Sequence, residues 1–330
     1  MRILSAAEVD AALDDLTLID RLEALFRQGC EMPTRHHHTV VAPTGPGSAD
    51  ATLLLMPAWT RGRSAEAGPG HIGIKVVTVF PDNGKRGLAS IYGQYLLLDG
   101  ATGAPVALLD GTVLTKRRTA CASGLASRYL SRPQARRLLM IGAGALAPEL
   151  IRVHARVRPI EQVAIWTRRP EAAQGLAREL SASLPQVLGR PIEVCAVADR
   201  RQAVGEADIV SCATLSSEPL VEGAWLRPGQ HIDLVGAFTP RMRESDDEAV
   251  RRAAVHVDTR AGALKEAGDI VQPLASGALA EAGIRADLFE LARGEKSGRA
   301  SGDEATVTLF KSVGAALEDL AAAELAVTAR

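Results

Sequence analysis

The sequence predicts an α/β protein in two parts: an α+β domain built from the N-terminal part and the C-terminal helix, and a doubly wound parallel-sheet domain between them. Three observations predict this. From Arg35 to Asp110, strand-like segments are divided by glycine- and proline-rich turns. Beyond Arg136, short apolar strands alternate with helical patterns. Where the texture changes stands RRLLMIGAGALA, in which Leu138 to Ile141 run into Gly142-x-Gly144-x-x-Ala147. A chain of 330 residues exceeds one ordinary core and suits two domains of roughly 100–200 residues each.

Taken in order, Ser5-x-x-Glu8 is a capping box that opens a short helix, and an amphipathic helix runs from Leu16 to Gly29. Five strands follow: RHHHTVVAP, ATLLLMPAW, HIGIKVVTVF, SIYGQYLLLD and PVALLDG. Their connections TGPGSAD, TRGRSAEAGPG, PDNGKRG and GATGAP are turn formers, which predicts an antiparallel sheet. TKRRTACASGLASRYL reads as a helix leading to the glycine motif. Strands are then expected at Leu138–Ile141, Val163–Thr167, Ile192–Ala196, Ile209–Cys212, His231–Gly236 and Val255–Asp258, with a helix at Glu171–Leu184. The alanine-rich stretch Ser312–Ala329 is a long helix packing back on the first domain. The expected domains are residues 1–118, completed by 312–330, and residues 119–311.

Composition excludes several classes. With 47% hydrophobic residues there is ample material for two cores. The net charge of −1, with Lys and Arg spread along the chain, points to neither nucleic acid nor an anionic membrane. No apolar run approaches the roughly 18 residues of a membrane span, and MRILSAAEVD lacks a signal-peptide core, so a soluble cytoplasmic protein is expected. Cys30, Cys121, Cys195 and Cys212 lack the spacing of a metal knuckle or redox pair and are expected to be buried free thiols. His36, His37 and His38 lie in a strand and alternate between its faces, so they do not converge on one metal ion. One of them remains a candidate for lining a substrate pocket.

The order strand, glycine turn, helix is what a dinucleotide diphosphate requires, which makes the second domain a Rossmann domain. Gly142 permits the turn, Gly144 lets backbone approach phosphate, and Ala147 allows close packing of the helix whose N-terminus faces the anion. At the end of the next strand, where an NAD-binding fold places an acidic residue on the ribose, VAIWTRRP offers Thr167, Arg168 and Arg169. A hydroxyl and two guanidinium groups suit a 2′-phosphate, so NADPH is expected in preference, with NADH still admissible.

Further motifs carry a resemblance: Met56-Pro57-Ala58, Gly73-x-Lys75-Val76-Val77, Phe80-Pro81-x-Asn83, Leu114-Thr115-x-x-Arg118-Thr119-Ala120, Gly142-x-Gly144-Ala145 and Ser312-Val313-Gly314. Together they resemble the ornithine cyclodeaminase/mu-crystallin family over nearly the whole chain. The resemblance implies a homodimer, with the first domain serving substrate binding and dimerisation, and NAD(P) chemistry at the bond between Cα and nitrogen. It implies that Arg35, Lys75 and Arg118 hold the substrate. It implies cofactor contacts from Ser90, Arg118, Thr119, Gly142, Gly144, Ala145, Leu146, Thr167, Arg168, Arg169, Thr214, Val235 and Val313. An α-imino acid presents a carboxylate, which cations in a dry pocket can grip. Lys75 sits mid-strand in GIKVV, where it faces either a polar site or solvent.

Two departures from the family pattern narrow the chemistry. Phe238 stands where cyclodeaminases and the related alanine dehydrogenase carry an aspartate, and Leu54 stands where cyclodeaminases carry a glutamate. A distal ammonium would lose its carboxylate partner, and oxidative deamination would lose its base. A preformed cyclic imine needs only a hydride, a grip on its carboxylate and one acid. The apolar Phe238 would suit its ring methylenes. GAFTPRMRE and HHHTVVAPT resemble the branch that reduces Δ1-pyrroline-2-carboxylate to L-proline. The expectation is therefore cyclic-imine reduction, extending to Δ1-piperideine-2-carboxylate, with Lys75 as proton donor and a pocket histidine or water as the alternative donor. Amino-acid dehydrogenation, cyclodeamination and a mu-crystallin-like binding role stay open.

Overall fold

The structure, a computed structural model, describes residues 1–45, 47–60 and 70–329. The turn expected at TRGRSAEAGPG falls mostly on residues 61–69, outside the described residues, as does Pro46 of TGPGSAD. The first elements are β1 (Arg2–Leu4), α1 (Ala6–Ala12), α2 (Asp15–Gln28), β2 (His36–Val40), β3 (Ala51–Trp59), β4 (His71–Val79), β5 (Ile91–Asp99), β6 (Pro105–Asp110) and α3 (Gly111–Leu130). Next come β7 (Arg137–Ile141), α4 (Ala147–Val157), β8 (Gln162–Trp166), α5 (Pro170–Leu188), β9 (Glu193–Ala196), α6 (Arg200–Glu206), β10 (Ile209–Cys212) and β11 (His231–Leu234). The chain continues through α7 (Asp247–Arg252), β12 (Ala253–Val257), α8 (Arg260–Glu266), α9 (Gly268–Ser276), β13 (Ile284–Asp287), α10 (Leu288–Arg293), β14 (Val307–Lys311) and α11 (Ala316–Thr328). These elements cluster into two compact units, Met1–Thr119 with Ala316–Arg330, and Ala120–Ala315. Among the described residues no helix is long and apolar enough to cross a membrane.

The first unit is an α+β layer. Its sheet runs β1-β6-β5-β4-β3-β2. Four of the pairings are antiparallel, but β1 pairs with β6 in parallel, so the sheet is mixed and the expected wholly antiparallel arrangement is corrected. Three residues of MRIL were too short a run to read as a strand. The Ser5/Glu8 capping box forms as expected, and Gly29 ends α2 with φ +80°. Helix α11 packs on α2 and on β3, β4 and β5, and it is buried nearly all round. Edge strand β2 is exposed along its whole length, His36 to His38 included.

The second unit is the Rossmann sheet, eight parallel strands in the order β13-β12-β14-β11-β10-β7-β8-β9. Six strands were expected, and β13 and β14 are additions. β14 lies between β11 and β12, inside the sheet. The C-terminal helix begins at Ala316 rather than Ser312, because Val313 and Gly314, the latter at φ +83°, are held in a loop by Asp258 Oδ2, which accepts both backbone N–H groups at 2.7 Å. The four cysteines are free thiols, but only Cys121 and Cys212 are buried; Cys195 is exposed and Cys30 half-buried.

Candidate active site

Strand β4 carries Lys75 at mid-sheet with its side chain on the α11 face, and Lys75 is only 2% exposed. A buried ammonium needs a partner. Asp319 on α11 supplies it, with Lys75 Nζ 2.9 Å from Oδ1 and 2.8 Å from Oδ2. Arg118 on α3 completes the cluster: its Nε donates to Asp319 Oδ1 at 2.8 Å and its Nη1 to Glu318 Oε2 at 2.6 Å. All four groups are buried.

Burial, helped by repulsion from Arg118 and Arg35 and opposed by Asp319, lowers the Lys75 pKa from 10.5 to about 8. Burial works against the Arg118 charge as well, yet Asp319 and Glu318 together carry its pKa above the ordinary guanidinium value. Arg35, half-buried just before β2, is close enough to act on Lys75 electrostatically. Arg35 therefore adds a third positive charge near the Lys75 and Arg118 cations. The structure thus gathers Arg35, Lys75 and Arg118 in one place.

Glu318 and Asp319 were missed by sequence reasoning. The trace they leave is an Glu-Asp pair in the first turn of an otherwise apolar, alanine-rich helix, where a buried face demands counter-charges. Ser90 and Thr119 lie elsewhere in the same unit: Ser90 is exposed ahead of β5, with its carbonyl accepting from Phe80 N, and Thr119 is half-buried in α3. Leu54, on β3, faces His37 and Val77 in register and brings no charge.

In the second unit the glycine turn joins β7 to α4. Gly142 has φ +117°, and a Cβ there would lie 2.7 Å from Ala213 O, so only glycine fits. At Gly144 a Cβ would meet nothing within 4 Å, so the protein's own packing does not demand glycine there. That space opens into a cavity of about 220 Å³ lined by Gly142, Gly144, Thr167, Arg168, Arg169 and Thr214. Ala145 and Leu146 follow on the turn, and the start of α4 has no side-chain cap; Ala147 N–H bonds Gly144 O at 3.0 Å and Pro148 has no N–H, so an anion there would meet the turn and Glu149 N–H groups. Arg168 and Arg169 are exposed and form no ion pair among the described residues. Room beside Gly144, an uncapped helix start and two uncommitted guanidinium groups fit a dinucleotide diphosphate bearing a 2′-phosphate.

The remaining residues singled out sit on loops at the same end of the sheet. Thr214 follows β10, and Val235 follows β11 with its N–H bonded to Cys212 O at 2.9 Å. Val313 follows β14. Phe238, 44% exposed on the loop after β11, is not a core residue.

Residues 1–328 match the sequence pattern of the ornithine cyclodeaminase/mu-crystallin family. The chain belongs to that family. Among its relatives is the Δ1-pyrroline-2-carboxylate reductase of Paracoccus denitrificans, 40% identical over 304 residues, which cover 91% of this chain and 89% of the relative. The solved structure of the Thermococcus litoralis Δ1-pyrroline-2-carboxylate reductase, in complex with NADH and L-proline, is similar at a TM-score of 0.87 and 34% identity, covering 99% of this chain and 96% of that one. An archaeal alanine dehydrogenase dimer with bound NAD is similar at a TM-score of 0.86 and 26% identity, covering 99% and 95%.

Proposed function

We propose that the chain reduces Δ1-pyrroline-2-carboxylate to L-proline, and Δ1-piperideine-2-carboxylate to L-pipecolate, using NADPH in preference to NADH. The observation that carries this reading is the gathering of Arg35, Lys75 and Arg118 in one place, which suits a substrate bearing a carboxylate. Kinship with reductases of that name points the same way. Arg118 and Arg35 grip the carboxylate, and the Lys75 ammonium donates the proton to the imine nitrogen. A bound nicotinamide supplies the hydride. Gly142, Gly144 and the start of α4 hold the diphosphate, while Thr167, Arg168 and Arg169 hold the 2′-phosphate. Phe238 offers an apolar surface to the ring. With leucine and phenylalanine at positions 54 and 238, this chain lacks the carboxylates that cyclodeamination would use.

The first unit is assigned substrate binding and dimerisation, the second cofactor binding, and the working assembly is a homodimer in the cytoplasm. Val40, Val41, Ile91 and Tyr92 of the first unit are exposed apolar side chains available for burial in such a dimer. The test is cofactor oxidation, followed by absorbance, with the cyclic imine, and with L-ornithine plus NAD and pyruvate plus ammonia alongside. NADPH loss on the imine with no ammonia from ornithine is expected. Turnover of ornithine or pyruvate without turnover of the imine would reverse the reading, and cofactor binding with no turnover at all would favour a binding role.

Arg168→Ala is expected to raise the KM for NADPH roughly 10- to 100-fold, the worth of a charge-assisted phosphate contact, while the KM for NADH changes little. Steady-state kinetics with both cofactors decides it; equal effects on the two would take the 2′-phosphate away from Arg168.

A further inference from the structure

Beneath the loops after β10 and β11 lies a buried carboxylate that the chemistry above leaves unused. Glu244 is fully buried. Its Oε1 accepts from Thr214 N at 2.7 Å and Thr214 Oγ1 at 2.8 Å, and its Oε2 from Gly236 N at 2.8 Å and Ala237 N at 3.4 Å. The two loops touch over it: a Cβ on Gly236 would lie 1.9 Å from Thr214 O and 2.6 Å from Glu244 Oε1. Glu244 is itself anchored, because Asp269 Oδ1 accepts its backbone N–H at 2.8 Å.

We propose that Glu244 is a positioning residue for the nicotinamide half of the cofactor, one carboxylate oxygen fastening each loop. This rests on the dinucleotide reading of the second unit. A doubly wound sheet binds the two halves of a dinucleotide on either side of the point where strand order reverses, here between β7 and β10. Arg168 and Arg169 after β8 place the adenosine half on the β7–β8 side, so the nicotinamide half falls to the loops after β10 and β11. Residues 213–216 of the first of these loops also line the diphosphate cavity, so Glu244 holds one of its walls.

Three of the four partners are backbone N–H groups, which only donate, so the ionised carboxylate, an acceptor at both oxygens, serves both loops best. The charged and titratable groups facing it are Lys311 from β14, Asp269 from α9 and Cys212 from β10. Burial pushes the Glu244 carboxyl up to about 7 against the pull of Lys311. As pH falls through that value the carboxyl gains a proton, one oxygen loses acceptor strength, and the loop bonded to it is held more weakly.

Glu244→Gln keeps the shape but offers one acceptor oxygen and one NH2, so it holds only one loop. Calorimetric titration with NADPH and with 2′-phospho-ADP-ribose, which lacks nicotinamide, separates the two halves. In the variant at pH 8, NADPH should bind about tenfold more weakly while 2′-phospho-ADP-ribose binds as in wild type. Wild-type affinity for NADPH, taken relative to 2′-phospho-ADP-ribose, should fall between pH 8 and pH 6, and in the variant that ratio should be flat. The reference ligand cancels the titration of the 2′-phosphate itself. Equal effects on the two ligands, whether both unchanged or both lost, overturn the role given to Glu244. Wild-type protein that binds neither ligand overturns the dinucleotide reading and the inference with it.

Discussion

Lys75→Met is expected to lower kcat on the cyclic imine by about 10²- to 10⁴-fold, the usual worth of a positioned proton donor. Methionine fills similar volume, and Asp319 keeps its bond from Arg118 at 2.8 Å, so the buried carboxylate is not stranded. Substrate KM should rise less than kcat falls, because Arg118 and Arg35 still hold the carboxylate. The pH profile is the sharper readout. With its pKa lowered to about 8, Lys75 is an ammonium below that value and a neutral amine above it. Wild-type kcat/KM should therefore decline as pH rises through about 8, about 2.5 pH units earlier than an ordinary lysine would cause, and the variant should lack this limb. A variant that loses only a few-fold in kcat and keeps the limb would assign the proton to a histidine or to water.

Gly144→Val is expected to abolish cofactor binding while leaving the fold intact. The φ of Gly144 is not in the left-handed region, and a Cβ there meets no protein atom within 4 Å, so valine is tolerated by the protein itself. The added atoms occupy the space beside the helix start. Losing two charge-assisted bonds from backbone N–H to phosphate costs about 3–6 kcal/mol, roughly 10²- to 10⁴-fold in affinity. NADPH and NADH should suffer alike, in contrast to Arg168→Ala. Cofactor titration together with thermal melting checks both halves of the statement; unchanged affinity would mean that the diphosphate lies elsewhere. Gly142 offers no such clean test, since any side chain at φ +117° strains the turn and strikes Ala213 O.

What was legible in the sequence was local. The glycine turn, the capping box and the strands β2 to β6 of the first unit announce themselves within a few residues, because the steric needs of a turn or an alternating strand are met by neighbours in the chain. β14 was not legible: it is buried on both faces, and Thr308 and Lys311 interrupt the apolar run by which a central strand is recognised. Both polar residues find partners only in the folded sheet, Thr308 Oγ1 at Leu130 O and Lys311 Nζ at Leu234 O, each 3.0 Å away. Lys75 shows the same limit. Its place in GIKVV reads equally well as solvent-facing, and what decides for burial is Asp319, 244 positions away. Arg168 and Arg169 could be placed at the cavity from the sequence because their position depends on rank after the glycine turn rather than on a distant partner. Glu244, in MRESDD, looks like any surface acid until the two loops above it are in view.

The position of β14 and α11 bears on how the chain assembles. β14 is inserted between β11 and β12, and α11 brings Glu318 and Asp319 to cations that precede them by 200 and 244 positions. Each unit thus receives an interior piece from an element far along the chain from its partners. Contacts of such long sequence separation must bear their loop-closure entropy before any reward arrives. Until then the nascent Rossmann sheet stays divided at β11, and Lys75 and Arg118 remain hydrated cations that resist burial. Neither core can therefore close before β14 and α11 have been made, and the growing chain carries two unfinished cores until then.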